Sequence, residues 1–129
     1  DEKLRTLDLH EIDFLGREDI SWVSLNHLDT ADPELERFYN QTGTRIHHYP
    51  FVHSNDYDDT AALVSQLDAI VSVTGTVVHL AGALGKECHT LVPSMPQWRY
   101  GAEGDTMPWY SSVKLYRQTD KWPYDKVPV

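Results

Sequence analysis

Apolar and polar positions follow two rhythms along this chain. Short runs of adjoining apolar residues, many of them β-branched, mark strands, and apolar positions three and four apart mark helices. Five strand candidates result: Trp22–Leu25, Arg45–Tyr49, Ala69–Val73, Cys88–Val92 and Val113–Tyr116. Between them the spacing predicts a helix over Pro33–Tyr39, with Asp32 as N-cap and Pro33 at the first helical position. A second helix is predicted over Thr60–Leu67, capped by Asp58 or Asp59, with Leu63, Val64 and Leu67 on one face. A third runs over Val77–Leu84 and stops at Gly85, the usual glycine position past a helix end. The nearly continuous apolar run Ala69–Val73 reads as a central parallel strand covered on both faces, whereas the polar Arg45–Tyr49 suits a place near an edge. Strands alternating with helices of about ten residues predict repeated βαβ units. The expected fold is therefore α/β, a Rossmann-like parallel sheet of about five strands with helices on both faces.

Composition narrows the classes of function. The chain has 129 residues, 40% hydrophobic and 24% charged, which is ordinary for one domain with its own core, here taken as residues 1–129. Its formal charge of −9 opposes binding to phosphate backbones, and the few Lys and Arg residues form no cluster, so nucleic acid is not an expected partner. The single Cys88 has no partner for an internal disulfide, which fits a reducing, cytoplasmic setting. No apolar run approaches the roughly 20 residues of a membrane-spanning helix. The chain begins without Met in a helix-leading segment, Leu4–Leu9, and ends in a Pro-containing stretch, Lys121–Val129, that reads as an extended arm. An excised piece of a longer protein, lacking an amino-terminal domain or repeats, is expected.

In open parallel sheets ligands bind beyond the carboxyl ends of the strands, so the turn after Ala69–Val73 is the first candidate site. Thr74 and Thr76 offer hydroxyls, Gly75 admits close backbone approach, and the helix N-terminus offers unpaired N–H groups with partial positive charge. That set suits a diphosphate. An equally open reading is that Thr74 caps the helix and Gly75 eases a tight turn. The turn matches neither a Walker loop nor the Gly-x-Gly-x-x-Gly fingerprint. His79, one turn into the helix, can donate to a phosphate or sugar hydroxyl, or can bond a neighbouring carbonyl. The small residues Ala81-Gly82-Ala83 read as close helix-to-sheet packing. Beyond the fourth strand, Arg99 is the one cation of a loop in which Trp98 forms an apolar wall; the alternative is a Trp plug over the core beside a solvated Arg99. The aromatic stretch Asp105–Tyr110 reads as folding cover. His47 and His48 are strand neighbours facing opposite ways and His53 stands apart, so no metal site is expected. The acidic stretch Asn55–Asp59 lacks the glycine and terminal Glu of a calcium loop and leads into a helix, and Cys88 reads as a small buried hydrophobe.

Taken together, Asp58-Asp-Thr-Ala-Ala-Leu-Val-Ser-Gln-Leu-Asp-Ala-Ile-Val-Ser-Val73, His79-Leu-Ala-Gly-Ala-Leu-Gly-Lys86, Pro96-Gln-Trp-Arg-Tyr100 and Pro108-Trp-Tyr110 resemble the carboxyl-terminal domain of heptosyltransferase-like glycosyltransferases, as found at the end of bacterial tetratricopeptide-repeat proteins. The resemblance covers about Tyr57 to Gln118. It implies the GT-B architecture, two Rossmann-like domains with a cleft between them, of which this half binds the nucleotide-sugar donor as substrate, with no cofactor and no metal. It further implies that Thr74, Gly75 and Thr76 hold the donor's phosphates, that His79 matches the motif histidine, and that Asp59 and Thr60 begin the helix near the nucleotide. Two departures stand out. Thr74 occupies the place of the family's Asp in Ser-Val-Asp-Thr, and Gln97-Trp-Arg-Tyr100 replaces Asp-Trp-Arg-Trp. The family's first strand is expected before Leu4, and the acceptor site and general base would lie in the other half. A non-catalytic scaffold or interaction domain is therefore the competing expectation, and a Rossmann-like protein of another kind, such as a sugar epimerase, is a third.

Overall fold

The computed structural model of the protein describes residues 9, 12–26, 31–49, 57–93, 96, 98–101 and 103–118. The segment 4–8, His53, Asn55 and the tail from Lys121 lie outside the described residues. The chain divides into two compact units, one over Asp8–Leu63 and one that begins at Val64. The described residues form a mixed α/β structure with three α-helices and two sheets, of two and four strands. This corrects the expectation of one parallel sheet of about five strands.

In the first unit a 3-10 turn over Asp13–Gly16 leads to β1 (Trp22–Ser24), α1 (Ala31–Thr42) and β2 (Ile46–His48). β1 and β2 pair in parallel, Trp22 opposite Ile46 and Ser24 opposite His48, with α1 as the crossover that parallel neighbours require. Leu15 and Phe38 are buried, and the Phe14 and Trp22 rings lie 5.6 Å apart. α1 begins one residue before the expected cap, so Asp32 and Pro33 both fall within its first turn. Proline is tolerated there because the first N–H groups of a helix have no intrahelical acceptor. α2 (Tyr57–Gln66) also begins early, so Asp58 and Asp59 stand inside the first turn, where their charge favours the positive helix end, and neither is the cap.

The second unit carries β3 (Ile70–Val73), α3 (Thr76–Ala83), β4 (Cys88–Val92), β5 (Thr106–Met107) and β6 (Tyr110–Arg117) in the sheet order β3-β4-β6-β5. β4 pairs in parallel with both β3 and β6, and β5 is antiparallel to β6. The most enclosed strand is β4, all five residues of which are buried, and not β3, three of whose four residues are partly exposed. Polar residues hid this. His89 is buried with Nδ1 2.9 Å from the Tyr116 hydroxyl and Nε2 3.2 Å from the Glu87 carboxylate, and Thr90 Oγ1 lies 3.5 Å from Cys88 Sγ. Internal pairing of this kind lets polar side chains occupy an interior strand. Asp105–Tyr110, read as cover, forms a hairpin in which Met107 faces Tyr110 across Pro108-Trp109, so β6 starts three residues before the expected Val113. A Pro-Trp pair lacks the Asn-Gly or Asp-Gly chemistry by which such turns are recognised.

α3 buries Val78 and Ala81 completely. At Gly82 a Cβ atom would stand 2.3 to 2.7 Å from carbons of the Tyr110 ring, so the helix and β6 approach as closely as they do only because this residue has no side chain. The helix ends where Gly85 turns to φ 68°, with the Lys86 N–H donating to the Ala81 carbonyl at 2.8 Å. No helix among the described residues is long and apolar enough to cross a membrane. Gly82→Ala should lower stability by about 1–3 kcal/mol through overpacking, despite the gain in helix propensity. Urea unfolding checks this, and a variant at least as stable as the parent would contradict the packing described.

Candidate functional site

At the carboxyl end of β3 the chain passes through Thr74 and Gly75 into α3. Gly75 is the last residue before the helix, is fully extended (φ 173°, ψ −171°) and supplies no side-chain cap, and no acidic residue stands in the first turn. Thr74 is thus one position too early to be the cap, and its hydroxyl is buried without a hydrogen bond. The reading of Thr74-Gly75 as a capped tight turn is replaced by an open helix N-terminus, where Thr76 and Val77 have no intrahelical acceptor for their N–H groups. A Cβ built on Gly75 meets nothing within 4 Å, so space lies in front of this turn.

Tyr100, the last residue of a 3-10 turn over Trp98–Tyr100, lies beside it. Tyr100 is 1% exposed and its hydroxyl makes no hydrogen bond of good geometry, yet it lies close enough to the Gly75 N–H and to Arg99 for both to lower its pKa against the larger upward push of burial. Leaving a buried hydroxyl unsatisfied costs about 1–3 kcal/mol, and Thr74 presents one beside the helix end. The His79 ring packs among Tyr100, Trp109 and Tyr110 at 6.3, 5.9 and 5.9 Å between centroids. Its pKa is lowered first by burial and then by the positive charge of Arg99, so it is neutral near pH 7. Thr74, Gly75, Thr76, His79, Trp98 and Arg99 therefore share one neighbourhood in one unit. Their contact is indirect in part: Trp98 reaches His79 through Trp109, whose ring it meets edge to face at 5.7 Å.

Trp98 is no plug, for it is 77% exposed, and Trp109 is 51% exposed. The residue that organises the loop is one that sequence reasoning missed. Arg117, opposite Val92 at the end of β6, donates to the carbonyls of Tyr100, Gly101, Glu103 and Gly104 at 2.6, 3.1, 3.2 and 2.7 Å. Nothing in the local sequence around Arg117 signals this role, because strand pairing alone brings it to the loop.

The other candidates lie apart from this cluster in the chain. Asp59 and Thr60 stand in the first turn of α2, within the unit that ends at Leu63, where Asp59 is exposed and Thr60 buried. In the same unit a depression of about 490 Å³ is lined by residues that include Tyr39, Arg45, His47 and His48, with the Arg45 guanidinium 4.1 Å above the Tyr39 ring. His47 is exposed, while His48 Nε2 donates to the Asn26 carbonyl at 3.2 Å. Among the described residues no group of three or more His, Cys, Asp or Glu is arranged to hold a metal ion. Cys88 is fully buried, and burial raises its thiol pKa, which makes it a poor nucleophile.

The class that the architecture defines is a mixed α/β protein whose second unit has a parallel core and an open helix end at its carboxyl edge. Comparison with known proteins adds a partial relative. Protein FlbA of Caulobacter vibrioides (strain ATCC 19089 / CIP 103742 / CB 15) is 34% identical over 61 residues, which is 47% of this chain and 10% of FlbA, so the match spans about a tenth of that protein. No family model matches the chain, and no solved structure matches it.

His79 binds its proton more weakly in the folded state than in the unfolded one, so its contribution to stability is full above the unfolded value of about 6.5 and is lost as the pH falls through that value toward the lower folded pKa. Urea unfolding at stepped pH should show this loss, and His79→Gln should flatten it. Arg117→Ala should release the four carbonyls, lower stability on the order of 2 kcal/mol and speed amide exchange in the Trp98–Gly104 loop, while Lys restores only part because an ammonium cannot span them. Unchanged exchange in that loop would remove Arg117 as its anchor.

Proposed function

We propose that this chain is the donor-binding half of a metal-independent glycosyltransferase-like protein, whose substrate is a nucleotide sugar held by its diphosphate at the N-terminus of α3. The observation that carries the reading is the uncapped start of α3, with open space at Gly75 and the buried, unpaired hydroxyl of Thr74 beside it. Unpaired N–H groups, helix polarity and nearby hydroxyls are what a phosphate requires, and Arg99 adds a full positive charge. In glycosyl transfer the bond between the anomeric carbon and the β-phosphate oxygen breaks, and negative charge grows on the departing nucleoside diphosphate. Fixed donors at that oxygen lower the barrier. Neutral His79 offers a further donor to a phosphate or a sugar hydroxyl.

Acceptor binding and the general base belong to the part of the protein outside this chain in this reading. A second reading, a binding module without catalysis, draws on Thr74. The resembled family carries Asp there, and the Thr74 side chain is 4% exposed and bears no charge with which to orient donor hydroxyls.

Calorimetry of the full-length protein with inorganic pyrophosphate, UDP, GDP, ADP and their sugars tests the proposal. Binding is expected, and Gly75→Ala should weaken it about tenfold while leaving folding unchanged, since the added methyl meets ligand and not protein. Thr76→Ala should weaken it as well. Absence of binding to every one of these ligands, with Thr76→Ala without effect, sinks the reading. Sugar transfer by the native protein would eliminate the non-catalytic alternative.

A further inference from the structure

The two most exposed of the large hydrophobic residues described are neighbours. Trp98 and Trp109 come from different segments, the 3-10 turn and the tip of the β5–β6 hairpin, yet their rings meet at 5.7 Å and 73°. Trp109 is also braced from below, by His79 at 5.9 Å and by Tyr110 at 6.5 Å and 82°. Arg117 holds the loop between the two segments through four carbonyls. The pair is thus positioned by packing and hydrogen bonding on its inner side, while most of the Trp98 surface and half of the Trp109 surface face solvent. An edge-to-face pair makes a corner, with the face of one ring beside the edge of the other.

What covers this corner is indicated by its neighbour. His79 touches Trp109 on one side and Tyr100 on the other, and Tyr100 lies beside the Gly75 N–H at the helix N-terminus. Two ring-to-ring steps, of 6.3 and 5.9 Å, therefore lead from Tyr100 to Trp109. A ligand anchored by phosphate at the α3 N-terminus and carrying a flat ring on a short linker would meet both. We infer that the Trp98–Trp109 corner takes the nucleobase of a nucleoside diphosphate, by stacking on an indole face. The inference rests on the donor-binding reading and adds the group that supplies most of the affinity beyond the phosphates. A planar heteroaromatic ring suits the corner because stacking needs no directional hydrogen bond and tolerates different bases. A sugar also lays its C–H face on an indole, but its orientation comes from hydrogen bonds to its hydroxyls, and the described contacts of the pair are aromatic.

Titration calorimetry of the full-length protein, with inorganic pyrophosphate, UDP, ADP and UDP-glucose against the parent, Trp98→Ala, Trp109→Ala and Trp109→Phe, tests this. The parent should bind UDP and ADP about tenfold or more tightly than pyrophosphate. Each Ala variant should lose most of that difference while its pyrophosphate affinity stays unchanged, and Trp109→Phe should keep the larger part. Trp98→Ala serves as the folding-neutral arm, because its side chain is 77% exposed. Equal affinity of the parent for pyrophosphate and nucleoside diphosphates overturns the stacking site and leaves the phosphate site standing, as does nucleotide affinity untouched by either Ala variant. A loss confined to the extra affinity of UDP-glucose over UDP assigns the corner to the sugar and overturns the inference. A change in self-association with nucleotide affinity intact assigns it to a second copy of the chain and overturns it too. If no phosphate ligand binds at all, the donor-binding reading falls and takes this one with it.

Discussion

The arrangement around His79 depends on the parallel register of β4 against β6. That register sets Cys88 opposite Val113 and Val92 opposite Arg117, and it continues one step further where the Gln118 N–H donates to the Val92 carbonyl at 2.7 Å. Because both faces of β4 are buried, a shift by one residue would exchange the side chains packed on them, Cys88, Thr90 and Val92 for His89 and Leu91, so the pairing is strongly specified. Its consequence at the carboxyl end is that a guanidinium stands under the chain leaving β4. Four carbonyls of the returning loop converge on it. Trp98, Arg99 and Tyr100 sit on the same stretch of chain, so their placement follows from a strand-pairing decision made elsewhere in the sheet.

α3 is held by a contact of similar stringency. Gly82 lets the helix settle on the Tyr110 ring, and Tyr110 opens β6. The helix axis, and with it the direction in which the first-turn N–H groups point, is thereby tied to the strand that also carries Arg117. One strand thus positions both the helix end and the loop beside it. Such double anchoring is what a binding site needs, since preorganised donors lose little freedom when a ligand arrives. The charge pattern fits as well: in a chain of net charge −9, Arg99 and an open helix N-terminus are brought to one place, and the influence of Arg99 on the His79 and Tyr100 pKa values shows how close they are.

Much of the second unit was legible in advance because its signals are local. The strand over Ile70–Val73 is an apolar run, α3 has small and apolar residues with a stop glycine, and β4 begins where the β-branched and apolar residues resume. The candidate residues Thr74, Gly75, Thr76, His79, Trp98 and Arg99 were legible for the same reason, as side chains that loops and helix starts place at a sheet edge. Sheet order was less so. An apolar run does not say which neighbour covers a strand, and paired polar residues such as His89 do not announce burial. The hairpin over Thr106–Met107 and Tyr110–Arg117 carried no recognisable turn residues, so the strand was read late and its partner not at all. The first unit shows the ordinary uncertainty of helix ends, since capping residues and first-turn residues draw on the same amino acids.

What the amino-acid sequence determined by itself is a chain of alternating strands and helices with a glycine-bearing helix start after an apolar strand. Those features arise from steric and hydrogen-bonding preferences within a few residues of one another. What only the tertiary structure decided is that Thr74 is no cap, that Tyr100 is buried beside the Gly75 N–H, that Arg117 ties the loop after β4, and that two exposed indoles meet beside His79. Each of these joins residues from different strands or loops, and such contacts are fixed by strand register and close packing, which no local pattern encodes.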